Sequence, residues 1–555
     1  MAAEPVITPV DRQVEILVPG QDFVWQVKDD SAVAGTIATW QISGWNNEQL
    51  SQPVPLVFNH GKAQIRYTPM NRGWQELVVI ERNAAGATIS ETRRSFVSGE
   101  TRKPGPDDFK YGVTSHLTRV PEFFLPEIEA IDKLGIGYVR DEVSWYNLQP
   151  TPGQWNWARF DPMIDGLNKI HVQPQITFDY GNKWAGVEST AIDSTKPKAS
   201  DPTHVAIHTI PRLQPWLAYV RATVDRYKDR VHYWEIWNEQ DGNFWDSPVD
   251  GYIKLFDETS KAIKQTDPHA FVMNGGFSMH GMPSDTGFND EFLAKADRTY
   301  WDILAYHDYQ SFSDELIRRK WVADWCAKYH VKLPLWMNEG GISAVKNFTP
   351  RIQADTLTKR LAAAPALGLD AYILYDLKND GPDPKVKESN FGLLNFDCTP
   401  KPSFAAYQNL IHLLGGRKYL KTEKIDNSNG STLWELLYAG RTPSDDQVAV
   451  LWIDKSDTYD SSPTHMKTTS VPVPELHEND PIAMTVKFAR LDNVTLLDLM
   501  GNPLPHQSSP AATTLTITNE PVYLLAKPTG DWNPKEIPTV TSQATFQKET
   551  PPLRR

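Results

Sequence analysis

The sequence predicts an α/β protein: a (β/α)8 TIM barrel flanked by an N-terminal and a C-terminal β-sandwich domain. Three observations carry that expectation. Between residues 106 and 416, short β-branched and aromatic runs alternate eight times with stretches whose apolar residues recur at helical spacing. Ahead of it, residues 5–103 hold alternating apolar and polar segments with turn signals between them and no convincing helix. After Gly415-Gly416 the β pattern returns and lasts to about residue 530. The expected division is therefore 1–103, 106–416 and 417–530, followed by a proline-bearing polar tail at 531–555.

Each element can be justified in turn. Segments 14–18, 23–27, 35–42, 63–67, 76–81 and 88–96 read as the strands of the first sandwich. Thr101-Arg102-Lys103-Pro104-Gly105-Pro106 reads as a linker. Barrel strands are expected at 111–114, 137–140, 174–178, 232–237, 271–274, 302–306, 335–338 and 371–375. Helices are expected at 121–134, 160–169, 211–227, 252–264, 289–295, 314–329, 352–367 and 403–414, several opening on Pro or closing on Gly. Segments 432–438, 447–452, 484–491, 494–499, 513–518 and 521–525 read as the second sandwich.

Composition narrows the function. The chain has 555 residues, 40% hydrophobic and 23% charged, as expected of a soluble globular protein with two or three domains. It offers no apolar run of about 18 residues, so no membrane span is expected. With 56 Lys+Arg against 69 Asp+Glu the formal charge is −13, which argues against a nucleic-acid partner. The 19 Trp, 20 Tyr and 21 Phe fit both a large core and flat platforms for sugar rings, with the core taking the larger share. Cys326 and Cys398 are expected to be free thiols. The N-terminus has neither a basic nor an apolar leader region, yet resembles a mature start, so secretion or a periplasmic location is the expectation. Oligomeric state is left open.

The chemistry is concentrated in His232–Trp245, HYWEIWNEQDGNFW. Its first six residues read as a buried strand, which ends in Asn238-Glu239 and then in the turn formers Gln240-Asp241-Gly242-Asn243. About 100 residues later the pattern recurs as Leu333-Pro334-Leu335-Trp336-Met337-Asn338-Glu339-Gly340-Gly341. A carboxylate just past a barrel strand lies where such barrels keep their active sites, because the strand fixes the backbone and the loop opens to solvent. Two of them about 5–5.5 Å apart suit cleavage of a glycosidic bond with retention. No metal and no cofactor are expected. His204 and His208 stand four apart, but the segment shows neither a helical pattern nor an acidic third ligand, and no phosphate-cradling loop or serine elbow appears.

Glu235-Ile236-Trp237-Asn238-Glu239 resembles the acid/base strand of clan A glycoside hydrolases. Asp241-Gly242-Asn243-Phe244-Trp245, Tyr306-His307-Asp308-Tyr309 and Leu335–Gly341 are most similar to family 39, which contains β-xylosidases and α-L-iduronidases. The resemblance covers roughly residues 110–415 and, more weakly, the second sandwich. It implies a retaining hydrolase of poly- or oligosaccharides, with Glu239 as acid/base, Glu339 as nucleophile and Asn238 on the sugar 2-hydroxyl. Two positions depart from the family: Asn338 stands where Thr is frequent, and Tyr375 where Trp is frequent.

Further expectations rest on single residues. Tyr309 is expected either to donate to Glu339 or to be a rim aromatic. His307 is expected to bond a sugar hydroxyl, to orient Glu239, or to be a core group. Arg140 is expected to pair with a catalytic carboxylate, or structurally with Glu142 or Glu235. His116, Trp145 and Trp184 are candidates to line the sugar subsites, with packing the more frequent role for any one of them. Tyr375 is expected on the sugar-contacting surface, and the loop 185–208 is expected to help choose the sugar. Two alternatives stay open: a non-catalytic glycan-binding protein on the same barrel, and a transglycosylase. The sugar, its anomeric configuration and exo versus endo action are not decided by these residues.

Overall fold

Eight parallel strands, each buried on both faces, form the middle of the chain: β1 (Lys110–Thr114), β2 (Tyr138–Glu142), β3 (Gln173–Phe178), β4 (Tyr233–Ile236), β5 (Phe271–Asn274), β6 (Leu304–His307), β7 (Leu335–Gly340) and β8 (Ala371–Leu374). They are seen in a computed structural model that describes residues 4–527 except 11, 30–35, 189–201, 280–286, 310, 346–348, 427–430, 456–483, 489–491 and 509–512. Parallel pairing runs β5-β4-β3-β2-β1-β8-β7-β6. Bridges Met273 to Ile303 and Phe277 to Tyr306 close the remaining seam between β5 and β6. Asn274 helps hold that seam: its Nδ2 donates to the Ala305 carbonyl at 2.8 Å, and its Oδ1 accepts from the Ala305 amide at 2.8 Å.

Helices α1 (Phe124–Leu134), α2 (Trp157–Lys169), α3 (Leu213–Tyr227), α4 (Val249–Thr266), α5 (Gly287–Lys295), α6 (Phe312–Lys328), α7 (Pro350–Ala363) and α8 (Pro402–Leu414) surround the strands. Their ends follow ordinary chemistry. Ser311 and Asp314 cap α6 reciprocally, and Thr349 caps α7 ahead of Pro350. Gly135 ends α1 at φ 81°, where a β-carbon would meet the Arg102 carbonyl oxygen at 2.4 Å. One expectation needs correction. Pro202–His208 is a helix although its sequence shows no helical pattern, because seven residues are too few to display a period.

Sheets lie on either side of the barrel. On the N-terminal side a three-stranded sheet (Val6–Pro9, Phe23–Lys28, Lys62–Tyr67) faces a five-stranded one built on Gly73–Arg82 and Thr88–Ser98. Between them sit Phe23, Trp25, Ile65, Leu77 and Phe96. On the C-terminal side a five-stranded sheet (including Ser431–Tyr438 and Val522–Lys527) and a three-stranded one enclose Leu433, Leu451, Leu515 and Leu524. The tail at 531–555 lies outside the described residues. Arg351 at the start of α7 joins the parts: it donates to Asn46 and Glu520 and covers the Trp45 ring at 4.4 Å. Both cysteines are unpaired, Cys326 in α6 and Cys398 in a loop. Among the described residues no helix is long and apolar enough to cross a membrane.

Two layers inside the barrel determine where chemistry can occur. Near the N-terminal ends of the strands, Tyr138, Tyr233 and Trp336 pack with ring centroids 5.0–5.6 Å apart over Met273, Ile303 and Ala371. That apolar floor closes one end. Above it the inward residues are Arg140, Gln175 and Glu235, all buried, and above those the barrel opens. Removing the Asn274 amide would leave the Ala305 amide without its partner in the closing seam, while the Ala305 carbonyl would keep only the Phe277 amide at 3.2 Å. Asn274→Ala is expected to lose about 2–4 kcal/mol in urea unfolding. A loss below about 0.5 kcal/mol would show that the seam does not need it.

Candidate active site

Glu239 stands just beyond β4, and the chain turns sharply to place it there. Trp237 and Glu239 both adopt left-handed backbone, φ 73° and 46°, which costs a residue with a side chain on the order of 1–3 kcal/mol. Contacts hold the turn: the Glu239 amide donates to Gly275 at 2.6 Å, and the Trp237 indole donates to Phe244 at 2.7 Å. The Trp237 ring is wedged against Tyr180, Trp216 and Trp245. Gly275 and Gly276 are therefore more than strand ends. A β-carbon on Gly275 would meet the Trp237 carbonyl oxygen at 2.6 Å, and one on Gly276 would meet His307 Nε2 at 2.1 Å.

Across the opening, β7 delivers Glu339. Tyr309 donates its hydroxyl to Oε1, and Arg140 Nη1 donates to Oε2 at 2.6 Å. His307 lies behind both acids, with Nδ1 2.9 Å from Glu239 Oε1 and 3.6 Å from Glu339 Oε1. One carboxylate oxygen of Glu239, one of Glu339 and a His307 ring nitrogen all lie within 4.8 Å of one another. Two acids 100 positions apart in sequence thus share one cavity.

Below them is a set of contacts that sequence reasoning saw only as one option for Arg140. Glu235 is fully buried, and its Oε2 accepts from Arg140 Nε at 2.7 Å, Thr177 at 2.6 Å and Gln175 at 3.0 Å. Asn338 donates to its Oε1 at 2.8 Å. Arg140 Nη2 donates to Asn238 Oδ1 at 2.7 Å, and Asn238 Nδ2 donates to the Tyr180 hydroxyl at 3.1 Å. One guanidinium so orients the Asn238 amide and pairs with both Glu235 and Glu339. Its other expected partner, Glu142, is instead 3.6 Å from Arg119.

The electrostatics follow from these contacts. Burial pushes the Glu339 carboxyl up, but the His307 and Arg140 charges and the Tyr309 hydroxyl outweigh it and leave the group below the usual carboxylate range. Burial disfavours a charged His307, yet the two glutamates raise it overall. His116 moves the other way, well below the usual histidine range, through burial and the nearby Arg119, Arg140 and Lys378 charges.

The cavity measures about 420 Å³, and Glu239, Glu339, Asn238, Arg140, Tyr309, His116 and Tyr375 are among the residues that border it. Of the candidate lining residues, Trp145 and Trp184 do not reach the cavity and take the packing role. Trp145 is wholly buried between barrel and helices, stacked on Tyr219 at 5.3 Å and edge-on to Trp216, and its indole donates to Gln149. Trp184 packs against Trp145 and donates to the Gln149 carbonyl at 2.8 Å, so neither ring borders the cavity. His307 is also shut off from the cavity surface and acts on Glu239 from behind. His204 does have an acidic neighbour, Asp246 at 3.1 Å, which the sequence did not reveal because it arrives from another loop. Beside the two glutamates, His116, Asp376 and Asp380 also bring ligand-type atoms within 4.8 Å of one another, with the Arg119 guanidinium 3.5 Å from Asp380. Of the loop 185–208, residues 189–201 lie outside the described ones.

No family model matches the chain. Over 181 residues it is 25% identical to a β-xylosidase of Geobacillus stearothermophilus, a match that spans 29% of this chain and only a third (33%) of that protein's length. A family 39 glycoside hydrolase from the gut symbiont Bacteroides cellulosilyticus WH2 superposes with a TM-score of 0.69 at 18% identity, over 94% of this chain and 100% of that one. A monomeric β-xylosidase from Caulobacter crescentus CB15 gives 0.50 at 17% identity, over 78% of this chain and 98% of that one. The family 39 enzyme of Xanthomonas axonopodis pv. citri gives 0.50 at 17% over 77% and 96%. The fold of this chain, barrel and flanking sheets together, is that of the family 39 glycoside hydrolases of clan A.

Proposed function

We propose that this chain is a retaining glycoside hydrolase with Glu339 as nucleophile and Glu239 as general acid/base. The observation that carries this is the sharing of one cavity by two carboxylates with unlike surroundings. Glu339 is held ionised by Arg140, Tyr309 and His307, whereas Glu239 bonds His307 and, among the described residues, no guanidinium. The 4.8 Å limit between their oxygens supports retention, because an inverting pair stands about 6.5–9.5 Å apart to admit water.

The sequence of steps follows. Glu339 attacks the anomeric carbon as the glycosidic C–O bond breaks, and Glu239 gives its proton to the departing oxygen. The resulting glycosyl ester at Glu339 is then attacked by water, whose proton goes to Glu239 while Glu339 leaves as carboxylate. Asn238, fixed between Arg140 and Tyr180, is placed to bond the hydroxyl next to the reacting carbon. The relatives named β-xylosidases make aryl β-D-xylosides the first substrates to try, with galactosides, arabinofuranosides and iduronides beside them.

Glu339→Ala is expected to lower kcat by roughly 10⁴-fold or more, about 5.5 kcal/mol in barrier. Added azide should restore turnover and yield the glycosyl azide of opposite anomeric configuration to the substrate. With Glu239→Ala, azide should intercept the glycosyl ester and give the azide of the same configuration. Activity that survives Glu339→Ala without azide would favour a glycan-binding protein with a contaminating hydrolase. Tyr309→Phe removes one contact that lowers the Glu339 carboxyl, so the acidic limb of kcat/KM should move to higher pH. The variant should also lose about 10- to 100-fold in kcat/KM, the range for a bond to a charged group. An unmoved acidic limb would show that Tyr309 does not act on the nucleophile.

A further inference from the structure

Two buried aspartates that border the cavity differ sharply in their partners. Asp141, at the end of β2, accepts from the Ser115 hydroxyl at 2.8 Å and from the Leu117 and Glu142 amides at 3.0 and 2.7 Å. Asp179 follows β3, borders the same cavity and is only 3% exposed. Its main-chain carbonyl accepts from Trp145, but its side chain makes no hydrogen bond among the described residues, and Oδ1 is buried without a partner. Leaving a buried carboxyl unbonded costs a folded protein free energy, and such groups are rare unless ordered water or a ligand satisfies them; this one borders the cavity where a ligand would sit. On the neighbouring β1 end, both ring nitrogens of His116 are also buried without a hydrogen-bond partner.

We infer that Asp179 is a glycon-specificity residue: its carboxyl holds one ring hydroxyl of the sugar whose bond is cleaved. This rests on the cavity being a glycosidase site, as proposed above. The wall around Asp179 sets the class of sugar. Glu142 and Asp141 lie beside it on β2; of the two cations that act on Asp179, Arg140 is engaged with Glu235, Glu339 and Asn238, and Arg119 with Glu142 and Asp380 at 3.6 and 3.5 Å. A sugar carboxylate or sulfate pointed at this wall would meet acids rather than a spare cation, so the site selects a glycon with a free, neutral hydroxyl. Burial and the adjacent Glu142 charge raise the Asp179 carboxyl well above the usual range, which favours the protonated form, a form able both to donate to and to accept from a hydroxyl.

The test uses the full chain, the variants Asp179→Ala and Asp179→Asn, and the aryl glycoside that the wild type cleaves fastest, together with its monodeoxy analogues. Asp179→Ala should lower kcat/KM on the parent glycoside by about 30-fold or more. On one monodeoxy analogue it should match the wild type within about twofold, because the hydroxyl that Asp179 holds is absent there. Asp179→Asn, which keeps a donor and an acceptor, should recover most of the loss. Both variants should melt at or above the wild-type temperature, since the unbonded carboxyl is gone. An equal loss on the parent and on every deoxy analogue, or a clear fall in melting temperature, would overturn the assignment. If the wild type cleaves no glycoside, the catalytic reading fails separately. Free D-xylose, D-galactose, D-glucose and L-arabinose then test Asp179 by the rise in melting temperature they cause. Loss of that rise in Asp179→Ala supports the inference, and its persistence, or no rise with any sugar, contradicts it.

Discussion

Arg140 is the group on which the site depends. It is buried inside the barrel, and each of its three nitrogens serves a different neighbour: Nε the floor acid Glu235, Nη1 the acid Glu339, and Nη2 the amide of Asn238. A lone charge at that depth would be prohibitive, and a lone Glu235 equally so. Pairing makes both tolerable, and the planar fork of arginine suits it, since lysine offers no fixed directions. The consequence is functional. An anion at Glu339 is stabilised before any substrate arrives, by a cation that Glu235 keeps in place from below. Asn338 also belongs to this lower network, which explains its position beside Glu339 while it points to Glu235.

The remainder of the barrel protects that arrangement. The aromatic floor of Tyr138, Tyr233 and Trp336 closes the strand N-termini, so the polar layer meets solvent only at the opposite, C-terminal mouth. Around Glu239 the main chain is bent into left-handed conformations that the packed indole of Trp237 and the two glycines of β5's end permit. The backbone energy spent there aims one carboxyl at its counterpart. Outer contacts such as Arg351 with Trp45 and Glu520 tie the flanking sheets to the barrel far from this chemistry.

Much of this was legible in the residues, and the reason is locality. A strand that ends in Asn-Glu followed by turn formers announces itself within ten positions, and its recurrence at Leu335–Gly340 pairs two such ends. His307 ends β6 and Tyr309 follows it closely, so their approach to the two glutamates could be anticipated from strand position. Residues whose fate depends on the path of a loop could not be read. Trp145 and Trp184 share the cavity-side loops with true wall residues, yet a one-turn helix after β2 carries Trp145 into the layer between strands and helices. Glu235 was foreseen only as one of two alternative structural partners of Arg140; that the same guanidinium serves Glu235 and Glu339 together could not be read, because inward and outward strand positions alternate too closely for a four-residue strand to declare them. Asp179 carried no signal at all: one acid at a strand end looks like any other until its lack of partners is visible.

The central claim is that Glu339, ionised by Arg140, Tyr309 and His307, becomes covalently bonded to the sugar. It is tested most directly by incubating the protein with a 2-deoxy-2-fluoro glycoside bearing a good leaving group, which slows breakdown of a glycosyl ester. Intact mass and peptide mapping should then show one fluoroglycosyl group, on the peptide that contains Glu339. A fully active protein that gains no mass, or one labelled at any other carboxylate, would contradict the account.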